Sequence, residues 1–468
     1  MMIETKEQLP VAVLGGGPVG LAAAAHLIER GLRPLLLEAG TTVGANMASY
    51  RHVRLFSPWQ YNVDKAARRL LQRHGWAAPD DDGLPTAGEL LDQYLAPLAA
   101  LPGIAANLYL GHRVTAITRA GFDKVKTKGR DAAPFLIRAE TADGVRQYLA
   151  SAVIDATGTW SHQNPLGADG IAALGETALA ERIDYGMPDV LGAARELYAG
   201  RRVMVVGAGH SAAGALLALA QLAREHPGTS IVWVTRGTQL ARVFGGGEAD
   251  GLKARGQLGM RLRALRDSGG LEMHQNFRIE QLAEHGGKIR VTGESVDGIA
   301  PTVDGIDRII CAAGARPDLG ITRELRVRHD PWLESTDALA PLIDPNEHSC
   351  GTVRPHGHRE LAHPESAYYA VGAKSYGRAP NFLMATGYEQ VRSVVAALAG
   401  DRAAADDVQL DLPETGVCNT RLAYESTAEP AGSCCDVPAA VAASCCVPAP
   451  SPRGACGCSK PAETSCCA

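Results

Sequence analysis

Short apolar runs alternate with helix-length segments along most of this chain, and one order of elements occurs twice. Val11–Leu14 is an apolar run that enters Gly15-Gly16-Gly17-Pro18-Val19-Gly20, followed by the Ala-rich stretch Leu21–Arg30. Gly31 closes that stretch, and a second apolar run, Leu35–Leu37, ends at Glu38. The pattern predicts strand, helix and strand within a unit of about thirty residues. It recurs with Arg202–Val206, the turn Gly207-Ala208-Gly209-His210-Ser211-Ala212, a helix through Leu222 and a strand Ser230–Thr235 that ends at Arg236. Two further apolar strands are predicted, Tyr148–Ile154 and Asp307–Ile310. They run into the small-residue ends Asp155-Ala156-Thr157-Gly158 and Cys311-Ala312-Ala313-Gly314-Ala315-Arg316-Pro317. Alternating strands and helices of this kind imply an α/β fold with parallel sheets.

Each Gly-rich turn sits where a dinucleotide site needs it, between a strand end and a helix start. In the first, Gly15 permits the tight turn, Gly17 lets backbone approach a diphosphate, and Gly20 lets helix and strand pack closely. The helix N-terminus, entered through Pro18, then offers free N–H groups and a positive dipole end. Glu38 is placed to accept hydrogen bonds from ribose hydroxyls. In the second turn Gly207 and Gly209 hold the corresponding places, Ser211 opens the helix, and Ala212 is small enough for the third position. Arg236 replaces the acidic residue; an arginine there suits a ribose 2′-phosphate and favours NADPH over NADH, the alternative being a surface arginine without a ligand. His210 reads as a loop-packing residue.

At 468 residues the chain is long enough for two or three domains. Its Lys+Arg total of 46 nearly balances 51 Asp+Glu, so no basic excess points to nucleic acid. The locally basic run Lys253–Arg266, with Arg255, Arg261, Arg263 and Arg266, reads as a solvated helix face or as a rim attracting nucleotide phosphates. No apolar run approaches the roughly 20 residues of a membrane span, and no targeting segment is visible, so a cytoplasmic location is expected. Of 11 cysteines only Cys311, Cys350 and Cys418 precede residue 430, which fits a reducing compartment.

With both turns in place, the chain resembles the flavoproteins in which an NAD(P)H domain is inserted into an FAD domain, over about residues 10–400. Within that group it is most similar to the flavin-containing (class B type) monooxygenases. The first turn, the Gly-Ala-Gly-His-Ser-Ala second turn and the closing run Asn381–Gln390 carry the resemblance. It implies FAD and NADPH as cofactors. It implies a three-layer Rossmann-like FAD domain in two parts, 1–165 and 316–405, around a Rossmann-like NADP domain at 166–315. Phe56–Asn62 resembles the segment that family places at the flavin ring, so Ser57, Trp59 and Asn62 are expected beside it, with core packing an alternative for Trp59. Asp155, Thr157, Gly158 and Gly314 belong to the implied crossovers, and Gly372 ends the last FAD strand. Two departures stand out. Gly372 is followed by Ala373 and Lys374 where the family has Gly-Asp, and the F-x-G-x-x-x-H fingerprint of ketone-oxygenating relatives is missing. No closely spaced cysteine pair that could meet a flavin occurs before the tail, which favours oxygen or a bound substrate as electron acceptor.

Beyond about Gly400 the hydrophobic periodicity fades, and from Thr427 the chain is mostly Ala, Pro, Ser, Gly and Cys, so residues 406–468 are predicted to be a disordered tail. Four pairs recur in it: Cys434-Cys435, Cys445-Cys446, Cys456-Gly457-Cys458 and Cys466-Cys467. Adjacent Cα atoms lie about 3.8 Å apart, under the ~4.4 Å of a relaxed disulfide, so each adjacent pair is better suited to donate two thiolates to a soft metal or metalloid. The alternative is a cysteine-rich tail without a specific ligand. The pairs resemble the vicinal cysteines that end mercuric reductase, and the whole resembles flavoproteins found with arsenic-resistance genes. The expected activity is NADPH- and FAD-dependent oxygenation of a soft nucleophile, an arsenical or organosulfur compound, with a small-molecule substrate and oxygen as partners. A flavin-dependent reductase of a thiolate-bound metal and a metal-sequestering or sensing protein with an inert flavin fold are the alternatives. No catalytic acid or base is assigned.

Overall fold

The computed structural model describes residues 9–410, apart from 239 and 349–351. The strands of the first half are β1 (Val11–Leu14), β2 (Pro34–Leu37), β3 (Leu108–Tyr109), β4 (Arg113–Arg119), β5 (Phe135–Thr141), β6 (Gly144–Ala150), β7 (Ala152–Asp155) and β8 (Ile183–Tyr185). The later strands are β9 (Arg202–Val206), β10 (Ser230–Val234), β11 (Glu272–His274), β12 (Ile279–His285), β13 (Lys288–Gly293), β14 (Thr302–Ile306), β15 (Arg308–Cys311) and β16 (Tyr368–Ala370). Two five-stranded sheets, β16-β7-β1-β2-β3 and β11-β10-β9-β15-β8, are parallel throughout. Each is accompanied by a three-stranded antiparallel sheet, β4-β5-β6 and β12-β13-β14. The chain leaves the first parallel sheet after Asp155 and rejoins it at Tyr368, building the second between. This is an α/β fold with one Rossmann-like lobe inserted in another.

Five helices matter for the site. The first, α1 (Pro18–Glu29), begins three residues earlier than expected, with Pro18 in its first turn where a missing N–H costs nothing. Its alanines Ala22–Ala25 are fully buried, which lets α1 sit closely between β1 and the late helix α4. The others are α2 (His210–Glu225), α3 (Lys253–Asp267), α4 (Met384–Leu398) and α5 (Arg402–Asp406). Helix α5 lies where the hydrophobic periodicity has already faded. A local cap and tertiary contacts make it: the Asp401 side chain accepts from the Ala404 N–H, and Asp406 accepts from Arg359 Nε at 2.7 Å and lies 2.8 Å from His358 Nε2.

Two predicted strands are corrected. Tyr148–Ile154 is divided at Ser151 between antiparallel β6 and parallel β7, and the Ser151 N–H and hydroxyl both bond the Pro10 carbonyl. Asp307 likewise is a bend between antiparallel β14 and parallel β15, its carboxylate taking the Arg202 N–H at 2.8 Å. Both lobes thus use one device, an outer antiparallel strand that turns within a residue into a central parallel one. Continuous apolarity marks the strands but not which sheet each joins.

The β4-β5-β6 sheet is tied to the later chain by a fully buried ion triad. Glu365 accepts from Arg119 Nε at 2.8 Å and from Arg130 Nη1 at 2.6 Å, and the Arg119 guanidinium lies 3.7 Å from the Phe135 ring centre. Among the described residues no helix is long and apolar enough to cross a membrane.

Candidate functional site

Both Gly-rich turns lie at the C-terminal ends of parallel strands and share one geometry. Gly15 has φ +95°, and a Cβ there would fall 2.7 Å from the Ala156 carbonyl oxygen. Gly207 has φ +138°, with its Cβ position 2.3 Å from the Ala312 carbonyl. In each lobe, then, only glycine fits the crossing of the turn over the neighbouring strand end. Gly17 and Gly209 are the N-cap residues of α1 and α2, make no side-chain cap, and face open space where a Cβ would go. Backbone N–H groups of two long helices are therefore presented bare, which is what a diphosphate requires. Gly20 serves packing: its Cβ position lies 1.9 Å from the Gly15 carbonyl oxygen. Ala212, its counterpart, is fully buried.

A cavity of about 330 Å³ opens at the first turn. Of the expected residues Gly15, Gly17, Pro18, Glu38, Thr157, Gly158 and Gly372 line it. Glu38 is nearly buried; one carboxylate oxygen accepts from the Gly16 N–H and the other from the Gly40 N–H at 2.6 Å. These bonds fix the carboxylate and leave lone pairs for a ribose. Gly372, at φ +67°, is held through its N–H by Gln390 Oε1 at 2.8 Å. Gly16 and Gly20 shape the turn without lining the cavity.

Asp155 does not face the cavity, contrary to expectation. It is fully buried and accepts from Lys374 Nζ at 2.6 Å, Thr157 Oγ1 at 2.7 Å and Tyr368 Oη at 3.0 Å. Lys374, the unexpected residue after Gly372-Ala373, turns inward to complete this ion pair. The departure from Gly-Asp and the inward Asp155 are one feature: a buried cation and a buried anion that need each other.

A second cavity, about 840 Å³, lies between the lobes. Leu55, Phe382 and Met384 line both cavities, so the two adjoin there. Ser57 and Asn62 line the larger one from the first lobe, Ser211 and His210 from the second. Trp59, between Ser57 and Asn62, lines neither; its ring is in the core, the alternative placement for this residue, and its backbone N–H bonds the Gly83 carbonyl at 3.0 Å. Asn62 is wholly inaccessible, yet its Oδ1 has no hydrogen-bond partner, while its Nδ2 donates to the carbonyls of Ser57 at 2.6 Å and Pro58 at 3.0 Å. Tyr388 Oη donates to the Asn62 carbonyl at 2.8 Å, fixing this turn from α4. A buried amide oxygen without a donor is costly to the fold. His210 packs its ring edge against Phe56, centroids 5.4 Å apart, across the lobes.

Gly207, Gly209, Ala212, Arg236 and Gly314 line neither cavity. Arg236 is exposed at the end of β10 and donates to the Ala168 carbonyl at 3.1 Å. Gly314 and the 155–164 segment belong to connections that pair with each other: Asn164 N–H bonds the Gly314 carbonyl at 2.9 Å, and Arg316 N–H bonds the His162 carbonyl at 2.9 Å. The basic run is no uniform solvated face. Arg255 is buried against Asp250 at 2.8 Å, Arg263 and Arg266 lie over the Phe244 ring at 5.0 and 4.8 Å, and Arg261 lines the larger cavity. Sequence reasoning did not single out Tyr50 and Trp160, whose rings lie 4.6 Å apart on the first cavity, with Trp160 Nε1 donating to Ser49. Neither has a local signal; they meet only because the loops after β2 and β7 converge.

Cys311, the one cysteine among the described residues, lines neither cavity, and burial pushes its thiol up to about 12. Among the described residues no cluster of His, Cys, Asp and Glu could hold a metal ion. Cys434, Cys435, Cys445, Cys446, Cys456, Cys458, Cys466 and Cys467 lie outside the described residues.

Comparison with known proteins adds to this geometry. Residues 13–77, a span that includes the first turn and Glu38, match the model of an NAD(P)-binding Rossmann-like domain. No curated protein sequence matches the chain. Solved structures do. Bacillithiol disulfide reductase of Bacillus cereus is similar at TM-score 0.62 and 19% identity, over 84% of this chain and 99% of that one. The FAD-bound cadaverine monooxygenase of Erwinia amylovora is similar at TM-score 0.59 and 14% identity, over 88% and 97%. The ornithine N-hydroxylase of Kutzneria sp. 744, whose structure holds reduced FAD, NADP+ and L-ornithine, is similar at TM-score 0.57 and 17% identity, over 84% and 99%. The chain therefore has the two-lobed fold that flavin-dependent reductases and monooxygenases share.

Proposed function

We propose that this chain is an NADPH-dependent FAD monooxygenase that oxygenates a soft nucleophile, an organosulfur compound or a trivalent arsenical. The observation that carries the reading is the meeting of the two cavities at Leu55, Phe382 and Met384, the first lined by Gly15 and Gly17 at the start of α1 and the second by His210 and Ser211 at the start of α2. Gly15–Gly20 would hold FAD, with Glu38 for its ribose and Asn62 for its ring. Gly207–Ala212 would hold NADPH, with Arg236 for the 2′-phosphate. The residues fit both groups, since Gly17 and Gly209 leave room for a diphosphate and Asn62 Oδ1 lacks a donor. FAD held there would supply the redox chemistry, a two-electron path from NADPH to oxygen. The balance is NADPH, a proton, oxygen and substrate to NADP+, water and oxygenated substrate. The chain's part is to hold both nucleotides on helix N-termini, to orient the ring edge with Asn62, and to exclude water with Leu55, Phe382 and Met384.

The reading is tested by purifying the protein and measuring NADPH oxidation in air with a panel of thioethers and arsenicals. Expected are a yellow protein, oxygen consumption that requires NADPH, and sulfoxide or pentavalent arsenical as product. A colourless protein that takes up no flavin and leaves NADPH unconsumed ends it. Asn62→Ala should keep flavin but lower the oxygenated product formed per NADPH by about tenfold or more, the loss expected when one preorganised hydrogen-bonding group is removed. Arg236→Ala should lower kcat/KM for NADPH about tenfold and leave NADH unchanged, the effect of losing a charge-assisted contact.

The fold similarity to bacillithiol disulfide reductase raises a second reading, reduction of a thiol-bound species. The buried, high-pKa Cys311 weighs against it, so this chemistry would fall to the tail cysteines. Metal-dependent NADPH oxidation without oxygen, abolished by truncation after Leu410, would support that reading. The cut spares Asp406, which anchors α5.

A further inference from the structure

Both lobes line the larger cavity with apolar and polar side chains. The first lobe contributes Leu55, Phe56, Phe382 and Met384, with the polar Arg54 and Ser57. The second contributes Val190, Leu191 and Leu258, with Ser211 in the first turn of α2 and Gln257 and Arg261 one turn apart on α3. The charged groups on the lining are unequal in their commitments. Arg54 donates to the Leu84 carbonyl and lies 3.9 Å from Glu89. Arg255 is buried with Asp250, both almost inaccessible. Asp189, the one carboxylate on the lining, accepts the N–H groups of Gly192 at 3.0 Å and Ala193 at 3.1 Å. Arg261 has no carboxylate within ion-pair distance among the described residues, while Gln257 one turn away and Ser211 at the uncapped start of α2 line the same cavity without charge.

From this asymmetry the geometry points to an anionic substrate: a soft, apolar sulfur-bearing head against Leu55, Phe56 and Met384, with a carboxylate or like anion at Arg261. A guanidinium reads a carboxylate through two parallel N–H bonds, and Arg261, exposed on the lining, is open to one. A neutral head without the anion leaves Arg261 unused, and a cationic one meets repulsion. The inference rests on the function proposed above in one respect, that the oxygen acceptor enters this cavity. NADPH carries anionic phosphate too, so the test must separate the two sources.

Equilibrium dialysis of the purified full-length protein against para-methylthiobenzoate, its methyl ester and para-methylthiobenzylammonium measures the preference without turnover. The benzoate is expected to bind about tenfold tighter than the ester, one charge-assisted contact, and the ammonium more weakly still. Arg261→Gln should erase the difference and Arg261→Lys restore part of it. Equal binding of the three probes, or a preference that survives Arg261→Gln, overturns the assignment. So does an Arg261→Gln protein whose KM rises for NADPH but not NADH, with benzoate binding unchanged; Arg261 would then serve the cofactor's phosphate. Failure to take up flavin is a separate result that counts against the proposed function, whereas flavin-loaded protein indifferent to probe charge counts against Arg261 alone.

Discussion

Gly20→Ala is expected to yield a protein that loses its flavin and melts at lower temperature. Alanine ordinarily stabilises a helix by about 1 kcal/mol over glycine, so local propensity predicts the opposite sign. Tertiary packing overrides it: the new methyl would lie 1.9 Å from the Gly15 carbonyl oxygen, a backbone atom of the turn itself. Either α1 moves off β1 or the turn opens, and overpacking of this kind costs about 1–3 kcal/mol or more. Gly17→Ala is the informative companion. Its methyl meets no protein atom, so the melting temperature should stay near that of the parent while flavin retention falls, because the methyl stands where the diphosphate must approach. Flavin absorbance per mole of protein and a thermal melt decide both. A Gly20→Ala protein with full flavin and an unshifted melt would remove Gly15–Gly20 as a cradle.

The second large effect lies away from the cavities. Glu365→Gln should destabilise the fold by about 3–5 kcal/mol, because it leaves two fully buried guanidinium groups, Arg119 and Arg130, without their counter-ion. The loss should depend on pH with a definite sign. Burial alone would raise the Glu365 carboxyl, but the Arg326 N–H and the guanidinium groups of Arg119 and Arg130 outweigh it and hold the group below the usual carboxylate range. A group depressed in the folded state contributes stability above its unfolded value of about 4.3, and loses it as pH falls through the folded value. The gap between parent and variant should therefore be widest near neutrality and close in acid. Chemical denaturation over that pH range measures it; a constant gap would show that the triad's charge is not what stabilises this junction.

The parts of the fold legible in the sequence are those governed by short-range chemistry. The glycines at 15, 20 and 207 announce two strand-to-helix turns, since few other residues tolerate those φ values or close approaches. The strands beside them are too apolar to be anything but buried. The same reasoning fails where a residue's role depends on what a distant segment brings to it. Tyr148–Ile154 is one apolar run but two strands, because β5 and β1 claim its halves. Arg255 belongs to a basic run yet is buried, because Asp250 folds back onto it. Asp155 has the look of a nucleotide contact and is consumed by Lys374, some two hundred residues later in the chain.

By itself, then, the sequence determined the α/β class, the two Gly-rich helix starts and their order along the chain, because steric limits on the backbone and apolar periodicity act over a few residues. Only the tertiary structure decided which side chains meet: Trp59 in the core and Asn62 at the cavity, Leu55 beside Phe382 and Met384, Arg261 without a counter-ion. Those outcomes depend on the packing of segments far apart in the chain, which sets burial, dielectric surroundings and hydrogen-bond partners together.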